Sequence, residues 1–420
     1  MNSGMTMQRV WWSILFILLA ASTQAAAQAG KLDPSFGHGG IVTTDFGVQN
    51  NSNVASAVAV TLQPDGKILV CGAIPSSTGF PVAAVARYNT DGSLDKEFGN
   101  AGIVTTPTLG ALNAITLQTD GKIVVAGPPD GAIVLVARYD SKGSLDRTFG
   151  TEGIFESKSF LPSSGPRGRV VMQPDGKILV AEGVLLRLLS DGQLDSSFGT
   201  EGLAASAGYV PSGLALLSNG KILVSSAILS TPVLDSGFVT RYSSDGSLDT
   251  SFGINGQLAT AGSGNAMVLL STGEIVVGGM LTSSLTGPAT GFAVSRYLGV
   301  GFPDAKFGTH GGIVTSLAGF PTLVTSGLET QSTGDIVTLG TASASTTNDV
   351  FALARYTPTG QLDTTFGTDG TVITSFGTTT VTANGLAIQS DQKIVAVGNY
   401  TTTEGGSFDT GFKLARYLGQ

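Results

Sequence analysis

The sequence predicts an all-β fold, a seven-bladed β-propeller of four-stranded antiparallel blades. Two observations predict it. Three short motifs recur in fixed order along the chain, and four strand-like runs fall among them each time. Periods of this size, 50 to 60 residues, mark blade repeats.

The first motif is LDxxFG. Its Asp stands at Asp33, Asp95, Asp146, Asp195, Asp249, Asp304 and Asp363, each followed three and four residues later by Phe-Gly. The second reads DGKI at Asp65, Asp120 and Asp175, and varies at Asn219, Thr272, Thr333 and Asp391. The third is ARY, at Arg87-Tyr88 and Arg138-Tyr139, with relatives at Arg241, Arg296, Arg355 and Arg416; at Arg187-Leu188 it has lost its Tyr.

In the first full copy the four runs are Ser56–Leu62, Lys67–Ala73, Ala83–Asn89 and Gly102–Thr106. Gln63-Pro64-Asp65-Gly66 joins the first two, with Pro presetting one turn dihedral and Gly supplying a positive φ. The runs are almost continuously apolar, as in sheets covered on both faces. The first strand of each copy is rich in small residues (Ala57, Ala59, Asn113, Ala114, Gly213, Ala215, Gly385, Ala387), which suits a crowded axis. The chain ends after a third strand, LARYLGQ, and begins with an orphan fourth strand, Gly40–Thr44. That strand is expected to complete the blade of residues 384–417, closing the ring and removing an exposed edge.

This combination of motifs resembles the delta-60 repeat family of bacterial secreted proteins, over about residues 31 to 420. The resemblance implies a propeller and an extracytoplasmic setting, and implies no activity. The third copy departs from it at Leu188, and the sixth at Pro303.

Residues 1–29 read as a secretory signal. Arg9 precedes a short apolar run, and Ala25-Ala26-Ala27 or Ala27-Gln28-Ala29 then offers an A-x-A cleavage site. Residues 30–420 form the single propeller domain. The precursor carries a net charge of −8. Losing Arg9 leaves 21 basic against 30 acidic residues, and both Trp depart with the leader. So acidic a chain is a poor partner for nucleic acid or an anionic membrane. A secreted, periplasmic or cell-surface monomer is expected.

A residue present in every copy does the same job each time, which favours folding over catalysis. Each repeat Arg is therefore expected to pair with a repeat Asp through forked hydrogen bonds, within a blade or across to the next. Fixed Phe residues such as Phe98 and Phe149 would pack between blades. Asn89, Asp91 and Asp95 could supply calcium ligands, but the carboxylate at Asp91 recurs only at Asp191 and Asp245, so the stretch reads as a blade connector. Cys71 reads as a small core residue, and His38 and His310 as loop residues. No catalytic, cofactor-binding or metal-binding residue is assigned, and no cofactor is implied. The variable connectors, 73–83, 156–168, 227–238, 280–292 and 399–412, are expected on one face, presenting a binding surface. The expected function is a non-enzymatic binding or scaffolding module for an unidentified extracellular ligand; the alternative is a secreted polysaccharide lyase or hydrolase.

Overall fold

The structure is a computed structural model that describes residues 29–48, 54–76, 79–127, 134–157, 168–204, 210–227, 237–282, 289–344, 349–377, 379–404 and 407–420. Residues 1–28 of the expected leader, and the middle of each variable connector, lie outside the described residues.

Seven antiparallel sheets stand around one axis, making a seven-bladed β-propeller. Blade 1 is Ser56–Leu62, Ile68–Ile74, Val82–Tyr88 and Ile103–Thr106, in spatial order from axis to rim. The inner strand of each blade packs on that of the next, and blade 7 returns to blade 1. Second and third strands are the driest: every residue of Ile123–Gly127 and Leu135–Tyr139 is buried. This is why those runs carry no polar alternation. Blade 3 departs from the pattern. It has three strands, Arg169–Met172, Ile178–Glu182 and Val184–Leu188, and its fourth is reduced to a bridge between Leu186 and Leu203.

The ring closes as expected. Strand Ile41–Val48 pairs antiparallel with Ser407–Tyr417, with Ile41 opposite Ala415 and Val42 opposite Leu414. Blade 7 is thus built from both ends of the chain.

The expected Arg–Asp pair forms in all seven blades, with a different fork. Each Arg Nε donates to the Asp Oδ2 eight residues on, or across the closure from Arg416 to Asp33, at 2.6 to 2.9 Å. Nη1 donates instead to a carbonyl of the next blade; Arg138 reaches Ser190 O at 2.6 Å and Arg241 reaches Gly299 O at 2.6 Å. The other Asp oxygen accepts the N–H two residues on, as Asp195 Oδ1 does from Ser197 at 3.1 Å. In five blades the Lys of DGKI also reaches the Asp, Lys221 to Asp249 at 2.7 Å for example. Each guanidinium lies over the Phe of its own LDxxFG, 4.4 to 4.8 Å from the ring centre.

Those Phe rings are fully buried between blades. Phe98 of blade 1 sits among Leu112, Ile123 and Tyr139 of blade 2. Above it lies Gly143 of the next blade, at φ 91°, where a Cβ would come within 3.0 Å of the ring. The Gly of the motif therefore serves both a left-handed turn and a close approach. One residue earlier, a backbone bond joins neighbouring blades: Gly99 N–H to Lys142 O at 2.9 Å, repeated in every blade around to Gly37 N–H and Asp91 O at 2.7 Å.

The ARY tyrosines make a second interblade tie. Tyr88, Tyr139, Tyr356 and Tyr417 share hydroxyl hydrogen bonds of 2.6 to 2.8 Å with Thr44, Thr106, Thr315 and Thr374 of the preceding blade's outer strand. Where blade 3 has Leu188, the matching outer position holds Ser157, whose Oγ accepts from Val134 N–H of its own blade at 2.9 Å. Both partners have changed together.

Replacing Arg241 with Lys keeps a charge for Asp249 but removes the donors to Gly299 O and Ser251 Oγ and the stacking on Phe252. The variant is expected to lose about 1–3 kcal/mol of unfolding free energy. Scanning calorimetry checks this, and an unchanged melting temperature would contradict the role given to the fork.

Candidate functional site

What recurs in seven blades holds the ring together. A site must be sought where the pattern breaks, and it breaks most at the axis. Val58, Asn113, Gly168, Ser212, Asn265, Ser326 and Asn384 hold equivalent positions in, or just ahead of, the inner strands. At Val58, Ser212, Ser326 and Asn384 the ladder with the second strand slips by one residue, so each of these is a β-bulge. A bulged residue is freed from its own ladder. Several of these side chains reach the next blade: Asn265 Nδ2 donates to Thr325 O at 3.1 Å, Asn384 Nδ2 to Ala57 O at 2.8 Å, and Ser212 Oγ to Gly264 O. The sequence reading valued Asn113 for its small size. The structure adds that Asn at this register is a donor, a signal legible in the polar residue opening an otherwise apolar strand.

The next position along each inner strand lines the channel. It is Ala59, Ala114, Gly213, Ala266, Gly327 or Gly385 in six blades, and Arg169 in blade 3. Two positions further on, where other blades carry Thr, Val or Ala, blade 6 carries Glu329. Arg169, Ser326, Glu329 and Asn384 face a common axial cavity of about 190 Å³, otherwise lined by small and apolar residues such as Ala59, Gly327 and Leu386. That is somewhat larger than the engineered cavity known to hold a benzene.

A second glutamate lies just behind this wall. Glu182 ends the second strand of blade 3, at a position that is Gly in Gly72, Gly127, Gly279, Gly340 and Gly398. It fits because Gly168 is bare: a Cβ there would fall 1.5 Å from Glu182 Oε2. Asn113 Nδ2 of blade 2 donates to Oε1 at 3.0 Å, while Oε2 is buried with no hydrogen-bond partner among the described residues. Burial pushes the Glu182 carboxyl up, the Asn113 bond and the Arg169 charge pull it partway back, and it settles at about 7. Burial likewise raises Glu329, against a Thr330 backbone bond and Arg169, to about 7. Glu329 keeps partial contact with water through the channel although protein surrounds it. Carboxyls near neutrality beside a cavity are the usual mark of a functional site.

The repeat aspartates behave oppositely. Burial pushes Asp33 up, but bonds from Ser35 Oγ and N–H, the Arg416 guanidinium and Lys393 pull it lower, to about 2.

The remaining sequence candidates fall outside this site. Asp91 Oδ1 accepts from Ser93 N–H at 2.9 Å and Ser93 Oγ at 2.7 Å, and Asp95 is held by Arg87 and Lys67, so this stretch is a connector. Among the described residues no three His, Cys, Asp or Glu stand together as a metal-binding group. His38 and His310 are exposed in turns. Cys71 is buried in the core between blades 1 and 2, and burial lifts its thiol to about 12. A larger hollow, about 740 Å³, opens at the seam of blades 7 and 1, but repeat-turn residues such as Gln63, Pro64, Asp391 and Lys393 line it. The turn face is also less uniform than the motifs suggest. Val300 and Phe302 replace polar residues of the matching turns and are exposed together with Leu298, with Gly253 N–H bonded to Val300 O and Ile254 exposed beside it.

Seven blades, a closed ring and a polar axial cavity define a β-propeller repeat protein. Five segments, residues 63–98, 118–149, 173–198, 217–252 and 331–366, match a family model described as a domain of unknown function (DUF5122) beta-propeller. Among solved structures, virginiamycin B lyase from Staphylococcus aureus, a catalytically inactive variant with quinupristin, is 13% identical, covering 89% of this chain and 99% of its own, with a TM-score of 0.50. Semaphorin 2a from Drosophila is 8% identical over 89% of this chain and 75% of its own, TM-score 0.46. The PQQ-bound aldose sugar dehydrogenase from Streptomyces coelicolor is 13% identical over 71% and 92%, TM-score 0.40. No curated protein matches. At these identities the likeness is one of fold.

Together the carboxyls set two limits on stability. Asp33, lower in the folded chain than when unfolded, contributes fully above about pH 4 and loses its contribution as pH falls toward 2. Glu182 and Glu329, raised by folding, contribute fully below about pH 4.5 and lose it as pH rises through 7. Melting temperature should therefore fall from pH 6 to pH 8.5, and Glu182→Gln should flatten that fall. Parallel slopes for the two proteins would contradict the assignment to Glu182.

Proposed function

We propose that the protein is an exported, non-enzymatic binding or scaffolding propeller, with repeats of delta-60 type, working at the cell exterior. The leader-like residues 1–29 support export. The observation that carries the binding role is Arg169 and Glu329, the two charged residues in a channel wall otherwise of small, apolar and uncharged polar residues. A folding role repeated in each blade does not require them. A cation, a carboxyl near neutrality and the amide of Asn384 around one small cavity suit a compact polar ligand, or the polar end of a longer one. The variable connectors leave the same ends of the blades, opposite the DGKI and LDxxFG turns, and would extend the surface for a larger ligand.

The test is binding of the purified chain to a glycan and peptide array, with Arg169→Ala and Glu329→Gln as variants. Wild type is expected to give a hit that each variant weakens about tenfold or more, with melting temperature held. A hit that both variants retain would place the seat elsewhere.

A second reading, a secreted lyase or hydrolase, has one observation in its favour. Glu329 titrates about where a general acid or base works best. It would appear as turnover of an array hit, with a pH profile bending near 7 and abolished in Glu329→Gln.

A further inference from the structure

We infer that the exported chain begins at Gln28, the leader being cut after Ala27 and not after Ala29. The inference rests on the export reading. By residue type the two A-x-A sites are equal. The fold separates them.

Six of the seven bonds that tie one blade's Phe-Gly turn to the next end on a carbonyl of the neighbour's connector turn: Asp91, Lys142, Asp191, Asp245, Val300 and Thr359. The seventh closes the ring. It runs from Gly367 N–H of blade 6 to Ala29 O at 2.9 Å, and the adjoining Gly30 N–H donates to Leu418 O at 2.7 Å. Ala29-Gly30 thus fills the place of Asp91-Gly92, with Gly30 at φ 83° against 87° for Gly92. The Ala29 side chain is buried in the core between blades 6 and 7, beside Phe366 and Tyr417. A cut after Ala29 removes that side chain and that acceptor, orphans the Gly367 N–H, and sets an ammonium at Gly30 among buried groups.

In six blades the Arg Nη1 donates to the carbonyl one residue before the clasp, such as Thr90, Ser141 or Ser190. From blade 6, Arg355 Nη1 donates to Gly419 O, which follows Leu418 as Thr90 follows Asn89, and to Gln331 Oε1 at 3.1 Å. The chain's other end has taken over the work. A cut after Ala27 therefore keeps every tie of the closure found among the described residues.

The full-length gene product is exported and its N-terminus read by intact mass and sequential degradation. A start at Gln28 is expected, either free or lighter by one ammonia after its α-amine closes on its own side-chain amide. A start at Gly30 overturns the inference and leaves export standing; an uncut chain overturns the export reading. Chains starting at Gln28 and at Gly30, released from a cleavable carrier, are then melted side by side. The shorter is expected to melt about 1–4 °C lower, and equal melting would overturn the structural reason.

Discussion

The fold depends on a buried guanidinium that belongs to two blades at once. Its Nε neutralises an Asp of its own blade, and its Nη1 is spent on a carbonyl of the next. A lysine has the charge for the first task and lacks the planar fork for the second. This accounts for Arg at all seven positions. The aspartate gains from the same geometry, because its two oxygens divide between the cation and the turn that follows, so neither ion is buried unpaired. Sheets that could not cover both faces alone are thereby held in face-to-face register, and the Phe beneath each Arg fills the space between them.

The recurrent parts were legible because repetition turns one weak motif into seven concordant ones. LDxxFG, DGKI and ARY located the connectors and hairpins, and the phase of the chain ends foretold Ile41 opposite Ala415. The direction of the fork was not legible. The repeats name an Arg and an Asp as partners without saying that Arg87 takes Asp95 of its own blade, and the carbonyl of Ser141 becomes a partner only when blade 2 docks. The Tyr to Thr ties escaped for the same reason, although the paired loss at Leu188 and Ser157 left a trace.

The axial site was half legible. Arg169, Glu182 and Glu329 are visible departures once the copies are aligned, since each replaces a small or apolar residue. That they gather around one axis follows from closure, and the near-neutral carboxyls follow from burial that the sequence does not reveal. Blade 3 concentrates these departures. It has lost its Tyr, most of its fourth strand and its middle loop, and has gained Arg169 and Glu182. Regularity has been relaxed in the blade that equips the channel.

Closing the last blade with the first strand also sets the order in which the molecule can be made. Asp33 meets Arg416 across 383 residues. A ribosome delivers the amino end long before its partner exists, so an apolar ribbon with open edges must wait, unpaired, through almost the entire synthesis. Blades 1 to 6 can assemble as they emerge, while the seal cannot form until Ser407–Tyr417 arrives. A truncation that removes Ser407–Tyr417 would cost the chain its ring, not merely a tail.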